Sequence, residues 1–252
     1  MSGIKMLVTD LDGTLLREDK TVSGRSLSAL KRCRATGIKV VYATGRGSSA
    51  KALVPAELFD GYVCMNGATA YIGDTRIHER LIPIDDVRDL LIAADDAGYR
   101  IVAESGGTHY GNFNVSEKWP WLPDCELTDF RTLDIKVEKV YAVVESPEIT
   151  ELISRHLSDE MHMYVSRDDL AMIMHKEAVK SKAVKALAEH WGIAPEDVVA
   201  FGDDTNDIEM LEHCGTGVAM GNALDEVKAA ADQVCDTNDN DGMAKWLEAN
   251  AL

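Results

Sequence analysis

The chain has 252 residues, which fits one large domain or two modest ones. Its 46% hydrophobic and 27% charged residues are ordinary for a globular protein and exclude a disordered chain. The 26 Lys and Arg against 43 Asp and Glu give a net charge of −17, which repels phosphate backbones and anionic lipid and argues against nucleic acid and membrane surfaces as partners.

Lys5–Thr9 reads as an apolar strand that runs into acids. Ser26–Ala35 has helical spacing at Leu27, Leu30 and Arg34, with Gly37 placed to stop it. Ile38–Ala43 and Tyr62–Met65 are two further strands, and the alternation of strands with helices predicts a doubly wound parallel sheet. From about residue 84 the rhythm changes. Asp86–Ala97 carries a helical stripe of Val87, Leu90, Leu91 and Ala94. Strand patterns come next at Tyr99–Ala103, Thr108–Phe113 and Lys139–Glu145. Ser146-Pro147-Glu148 then starts a helix, with Ser146 as cap and Ile149, Leu152, Ile153 and Leu157 as its buried stripe. Met161–Ser166 and Leu170–His175 close this stretch as strands. Met161, Met163, Met172 and Met174 fall at alternate strand positions and are expected in its core, with His162, Tyr164 and Ser166 facing the other way.

The first rhythm then returns. Lys180–Trp191 is a helix with Val184, Leu187, Ala188 and Trp191 on one face, stopped by Gly192. Val198–Gly202 is a strand running into acids, Thr205–His213 a short helix and Gly217–Met220 a further strand. The expected organisation is an α/β core from residues 1–83 and 179–252, interrupted by an α+β insert at 84–178.

Five cysteines at 33, 64, 125, 214 and 235, without a CxxC pair, read as reduced thiols of a cytoplasmic protein. The start, MSGIKMLVTD, reaches an acid at Asp10 and has no signal-peptide apolar core, and no apolar run approaches the roughly 18 residues of a membrane helix. The seven histidines show no HxxxH or HExxH spacing, so no zinc site is assigned.

Four places carry chemistry. Asp10-Leu11-Asp12-Gly13-Thr14 comes directly after the first strand. In an open parallel sheet the carboxyl ends of the strands form the ligand crevice, and acids spaced i, i+2 leave a strand on the same side. Thr44-Gly45-Arg46 comes after the second strand, where a hydroxyl and a glycine amide make an anion site. A lysine near the start of the 180–191 helix could neutralise a phosphoryl group, with Lys176, Lys180, Lys182 and Lys185 competing. Gly202-Asp203-Asp204-Thr205-Asn206-Asp207 gathers acids and an amide after another strand and suits a hard cation such as Mg²⁺, while Asp204 reads as a helix cap. Taken singly, these patterns also fit an acidic turn, a strand-end TG turn, a solvated lysine and a capping loop. Their order and shared placement at strand ends make the combination informative.

In that order the four patterns resemble the motifs of the haloacid dehalogenase superfamily of phosphohydrolases. The resemblance extends to its Cof-type subfamily with a large inserted cap, through Met65-Asn66-Gly67-Ala68, Gly217–Ala223, Ala231-Asp232 and Asp241-Gly242-Met243. It covers nearly all of both flanks and reaches the insert only by order and position of elements. Counting back from Gly192-Ile193 places the motif lysine at Lys180. Ser181 stands where the subfamily usually has Gly, which keeps Lys182 in competition.

The resemblance implies a Mg²⁺-dependent phosphatase of small phosphorylated metabolites, sugar phosphates foremost. Asp10 would be the nucleophile and Asp12 the general acid and base. Mg²⁺ would be held by Asp10, the backbone carbonyl of Asp12, Asp203 and Asp207. Thr44, Gly45, Lys180 and Asn206 would hold the phosphoryl oxygens. Arg46 reads either as part of the site or as a structural partner of acids, with the structural reading preferred. Substrate choice is expected to lie in the cap. The alternatives are a phosphohexomutase, a phosphorylatable receiver and a non-catalytic phospholigand-binding module. Scattered insert arginines (Arg88, Arg100, Arg131, Arg155 and Arg167) count against the first. The insert and the acid at position 12 count against the second, and the intact Asp10–Asp12 pair against the third.

Overall fold

The computed structural model describes residues 3–119, 122, 125–165 and 169–252. The chain divides into two compact units, Met1–Glu79 with Val179–Leu252, and Arg80–Ala178. The first stretch of unit one runs β1 Met6–Thr9, α1 Gly24–Ala35, β2 Lys39–Ala43, β3 Gly61–Cys64, β4 Thr69–Ile72 and β5 Thr75–Glu79. Helix α1 begins two residues before its predicted start because Ser23 caps it, its hydroxyl accepting the Ser26 N–H at 2.9 Å. Strand β3 ends at Cys64, one residue early, because Met65 and Asn66 both turn left-handed, at φ 50° and 52°.

Unit two holds β6 Ile82–Pro83, α2 Ile84–Asp96, β7 Ile101–Ser105, β8 Thr108–Gly111, β9 Glu126–Leu127, β10 Lys136–Val137, β11 Lys139–Val143, α3 Pro147–His156, β12 Met161–Val165 and β13 Leu170–His175. Its main sheet has the order β12-β13-β11-β7-β8-β9 and is antiparallel except between β8 and β9. The apolar stripes of α2 (Val87, Leu90, Leu91, Ala94) and α3 (Ile149, Ile153) share one core with Ile101, Ala103, Val140, Ala142 and Ile173 of the sheet. Leu152 and Leu157 pack at its margin.

Two expectations are corrected in this unit. Met161 and Met163 belong to that core, whereas Met172 and Met174 are buried too, but not in it. Strands β12 and β13 pair Met163 with Ile173, which puts Met172 opposite Tyr164 and Met174 opposite His162 on the other face of the sheet. Ser146 occupies the N-cap position of α3 without accepting a backbone N–H. Ser166 and Arg167 lie outside the described residues.

Unit one is completed by α4 Lys180–His190, β14 Val198–Gly202, α5 Ile208–His213, β15 Thr216–Ala219, α6 Asp225–Ala230, β16 Gln233–Val234 and α7 Gly242–Asn250. Its sheet has the order β16-β15-β14-β1-β2-β3-β4-β5, parallel from β16 to β3 and antiparallel beyond. The β4–β5 hairpin has no counterpart among the strands expected from sequence. Tyr71 of β4 stacks on Tyr62 at 5.0 Å, and Tyr62 on Tyr42 at 5.5 Å, so an aromatic ladder ties the hairpin to the parallel strands.

The central strands β1 and β14 are buried along their full length, as parallel strands covered on both faces must be. Register pairs Thr9 with Tyr42 on one side and with Phe201 on the other. The segments after β1, β2 and β14 therefore leave the sheet side by side, at the point where strand order reverses. Among the described residues, no helix is long and apolar enough to cross a membrane.

Candidate active site

Asp10 is the residue after β1, Lys180 opens α4, and Asp203 and Asp207 come after β14; all four are buried. Lys180 Nζ donates to Asp10 Oδ1 at 2.7 Å and to Asp207 Oδ1 at 2.7 Å. Lys182, one residue beyond the adjacent Ser181, is exposed. The other Asp207 oxygen accepts the N–H groups of Asp203 at 2.9 Å and Asp204 at 3.2 Å, which closes the loop into a tight turn. Asp204 caps that turn, accepting the Thr205 N–H at 2.8 Å. Thr14 Oγ1 donates to Asp203 Oδ1 at 2.9 Å. Gly13, at φ +79°, lies against the same carboxylate: a Cβ there would stand 2.4 Å from Asp203 Oδ2.

One oxygen each from Asp10, Asp203 and Asp207 lie within 4.8 Å of one another. Three buried carboxylates against one ammonium leave two negative charges in excess. Burial pushes Asp10 well above the usual carboxylate range; Lys180 pulls it down, and the charges of Asp207 and Asp203 add to the rise. Burial, then Asp207, pushes Asp203 up to about 6 against the Thr14 hydrogen bond. Burial alone would lower Lys180, but the Asp10 and Asp207 carboxylates outweigh it and hold the ammonium charged above its ordinary range. An all-oxygen donor set with two charges in excess fits a hard divalent cation.

Asp12 has a different environment. It is about a third exposed and is clasped by Arg46, whose Nε donates to Oδ2 at 2.5 Å and whose second amine donates to Oδ1 at 2.8 Å. Lys20 Nζ adds a third bond to Oδ1 at 2.8 Å. Partial burial would raise its pKa, but the hydrogen bonds and charges of Arg46 and Lys20 hold it down to about 2. Two carboxylates two residues apart are thus pushed in opposite directions. Arg46 pairs with Asp12 itself rather than with acids outside the site.

Thr44 is buried, and its Oγ1 accepts the Arg46 N–H at 3.1 Å in a local turn. Its carbonyl accepts the Asn66 N–H at 3.0 Å. Asn206 Nδ2 donates to Asn66 Oδ1 at 3.0 Å. Gly45 lies against the same carboxamide, since a Cβ there would come within 2.8 Å of Asn66 Oδ1.

Three participants have no role assigned from sequence. Thr14 lies inside DLDGT, where a hydroxyl beside two acids is a usable signal. Asn66 stands out only as part of a family turn. Lys20 carries no local signal, because a turn with Lys20 at φ 64° brings it to Asp12.

The chain matches the haloacid dehalogenase-like hydrolase family over residues 7–247. It is 31% identical to a 5-amino-6-(5-phospho-D-ribitylamino)uracil phosphatase of Bacillus subtilis, with 96% of each chain covered. It is 30% identical to a pyridoxal phosphate phosphatase of Escherichia coli, covering 98% of this chain and 99% of that one. A solved HAD subclass IIB sugar phosphatase superposes with a TM-score of 0.85 at 28% identity, covering 97% of this chain and 98% of the other. A match over nearly the whole chain, together with acids converging at the carboxyl ends of β1 and β14, places this protein in the haloacid dehalogenase-like hydrolase family as a phosphatase.

Proposed function

We propose that this chain hydrolyses small phosphorylated metabolites, sugar phosphates foremost, with Mg²⁺ and through an aspartyl-phosphate. The observation that carries the reading is the buried Lys180 bridge between Asp10 and Asp207, with Asp203 alongside. The relatives' substrates support it, being small phosphomonoesters by name. Asp10, Asp203, Asp207 and the Asp12 backbone carbonyl would hold Mg²⁺, which supplies the neutralisation an anionic nucleophile needs to approach an anionic phosphoryl group.

In the proposed cycle Lys180 keeps one oxygen of Asp10 in place. An Asp10 oxygen forms the bond to phosphorus while the bond to the ester oxygen breaks, and Asp12 gives its proton to the leaving alcohol. Asp12 then takes a proton from water, which attacks phosphorus and restores Asp10. Thr44, the Gly45 amide, Lys180 and Asn206 would hold the phosphoryl oxygens. Clasped by Arg46 and Lys20, Asp12 is ionised and so set for the second half of the cycle; the first half needs that clasp loosened. The expected division of the chain, core at 1–83 and 179–252 with a cap at 84–178, is part of this proposal.

Hydrolysis is favoured over the phosphohexomutase alternative by the insert arginines. Arg88 bonds Asp85 and the carbonyls of residues 130, 131 and 133. Arg100 pairs with Glu145, Arg131 with Asp96 and Arg155 with Glu151. These four are engaged locally rather than gathered for a second phosphate.

The test is phosphate release from a panel of phosphorylated metabolites with Mg²⁺, with EDTA, and by Asp10→Asn. The expected result is metal-dependent release lost in the variant. Release that persists in Asp10→Asn would remove Asp10 as nucleophile.

A further inference from the structure

We propose that Asn66 is a positioning residue of the phosphoryl site: its carboxamide sets the orientation of Asn206, while the backbone of its turn holds the Thr44–Arg46 loop. The inference rests on the phosphatase reading and deepens it.

Asn66 stands in the turn after β3 with φ 52° and ψ 25°, a left-handed conformation that asparagine tolerates better than other residues with a side chain. The turn touches three segments that the phosphoryl site needs. First, backbone bonds join it to the loop after β2, Asn66 N–H to the Thr44 carbonyl and Met65 N–H to the Arg46 carbonyl, each 3.0 Å. Second, Asn66 Oδ1 accepts from Asn206 Nδ2. Third, Gly67, at φ +106°, packs on the residue before Lys180, since a Cβ there would lie 2.3 Å from the Val179 carbonyl oxygen. Gly45 has no room for a side chain on the Asn66 side for the same reason of close approach.

The side chain carries a second, independent sign. Asn66 is 4% exposed, yet its Nδ2 is buried without a hydrogen-bond partner among the described residues. The carboxamide oxygen of Asn206 is likewise buried and unpartnered among them. One hydrogen bond joins these two amides, and each is left with one unsatisfied polar atom. Such atoms are costly, so an amide pair that keeps two of them is not explained by stability alone. The two unsatisfied atoms belong to one amide pair that lies between the loop after β2 and the turn after β14.

The test compares wild type, Asn66→Gly, Asn206→Ala and the double variant in Mg²⁺. It measures binding of inorganic phosphate by calorimetry, KM and kcat on the best substrate of the panel, and melting temperature. Glycine is chosen because it keeps the left-handed turn and removes only the side chain. Each single variant is expected to weaken phosphate binding and raise KM by about tenfold, and the double to be no worse than either single. Unchanged phosphate affinity in Asn66→Gly, even with a lower melting temperature, overturns the proposal, because a purely structural role moves only stability. Losses that multiply in the double variant overturn the coupling to Asn206. A wild type that binds phosphate but hydrolyses no ester defeats the phosphatase reading, while the binding series still decides the role of Asn66. A wild type that binds no phosphate overturns both.

Discussion

Arg46 grips Asp12 with two parallel hydrogen bonds, at 2.5 and 2.8 Å, across 34 positions of sequence. A guanidinium fork matched to a carboxylate fixes the orientation of the acid as well as its charge. In the proposed cycle, Arg46→Ala eases protonation of Asp12 but loses its orientation; the second effect is expected to dominate and lower kcat by about tenfold, a fraction of what a general acid and base contributes, with little change in KM. Arg46→Lys should recover part of the loss at most, since a single ammonium cannot reproduce the fork. Steady-state kinetics decide it, and an unchanged kcat would reduce Arg46 to a surface partner.

Lys180 is the buried counter-charge for two carboxylates. Lys180→Met should destabilise the fold by about 3–5 kcal/mol, because it strands Asp10 and Asp207 without their ammonium, and should abolish activity. Lys182→Ala, at an exposed position two residues on, should stay within about 0.5 kcal/mol of wild type. Urea unfolding of both variants in EDTA separates the two lysines. Equal losses would contradict the buried-bridge argument.

The carboxylate cluster predicts an inverted pH response without metal. Asp203 sits at about 6 in the folded protein against an ordinary 3.8. A raised carboxyl makes its contribution below the lower value and loses it as pH rises through the upper one. That loss amounts to about 3 kcal/mol for this shift, and Asp10 acts in the same direction. Divalent metal needs the ionised carboxylates, so it should restore what high pH removes. The melting temperature should rise with added Mg²⁺ much more at pH 8 than at pH 5. An equal rise at both values would mean that these acids do not take the cation.

Thr14 tunes Asp203 through a single hydrogen bond. Thr14→Val keeps the shape but removes the donor at 2.9 Å. Asp203 should then ionise less readily, and the Mg²⁺ concentration for half-maximal activity should rise by about tenfold, in keeping with lost outer partners of metal ligands. A metal titration of activity that superposes on wild type would assign Thr14 to packing alone.

Much of this protein is written locally. Runs such as Met6–Thr9 and Val198–Gly202 read as buried strands because both faces of a covered parallel sheet are apolar. The acids beyond each run, Asp10 and Asp12 after the first and Asp203 and Asp207 after the second, are its neighbours in sequence and so readable without the fold. The β4–β5 hairpin is not readable in this way, because β4 is held through Tyr71 in an aromatic ladder to other strands rather than by strong alternation of its own. Met172 and Met174 are misplaced by sequence for a related reason: alternation shows that they share a face, but only the register with β12 shows which face.

Sequence by itself determined the family motifs, the acids that carry charge and their place at strand ends. Tertiary structure decided which lysine meets Asp10 from 170 positions away, that Arg46 and Lys20 converge on Asp12, and that Asn66 touches both Asn206 and Gly45. The physical reason is range. Periodicity and turn chemistry act over a few residues, whereas a counter-charge or an amide partner is chosen by strand order and register, which bring distant segments to one end of one sheet.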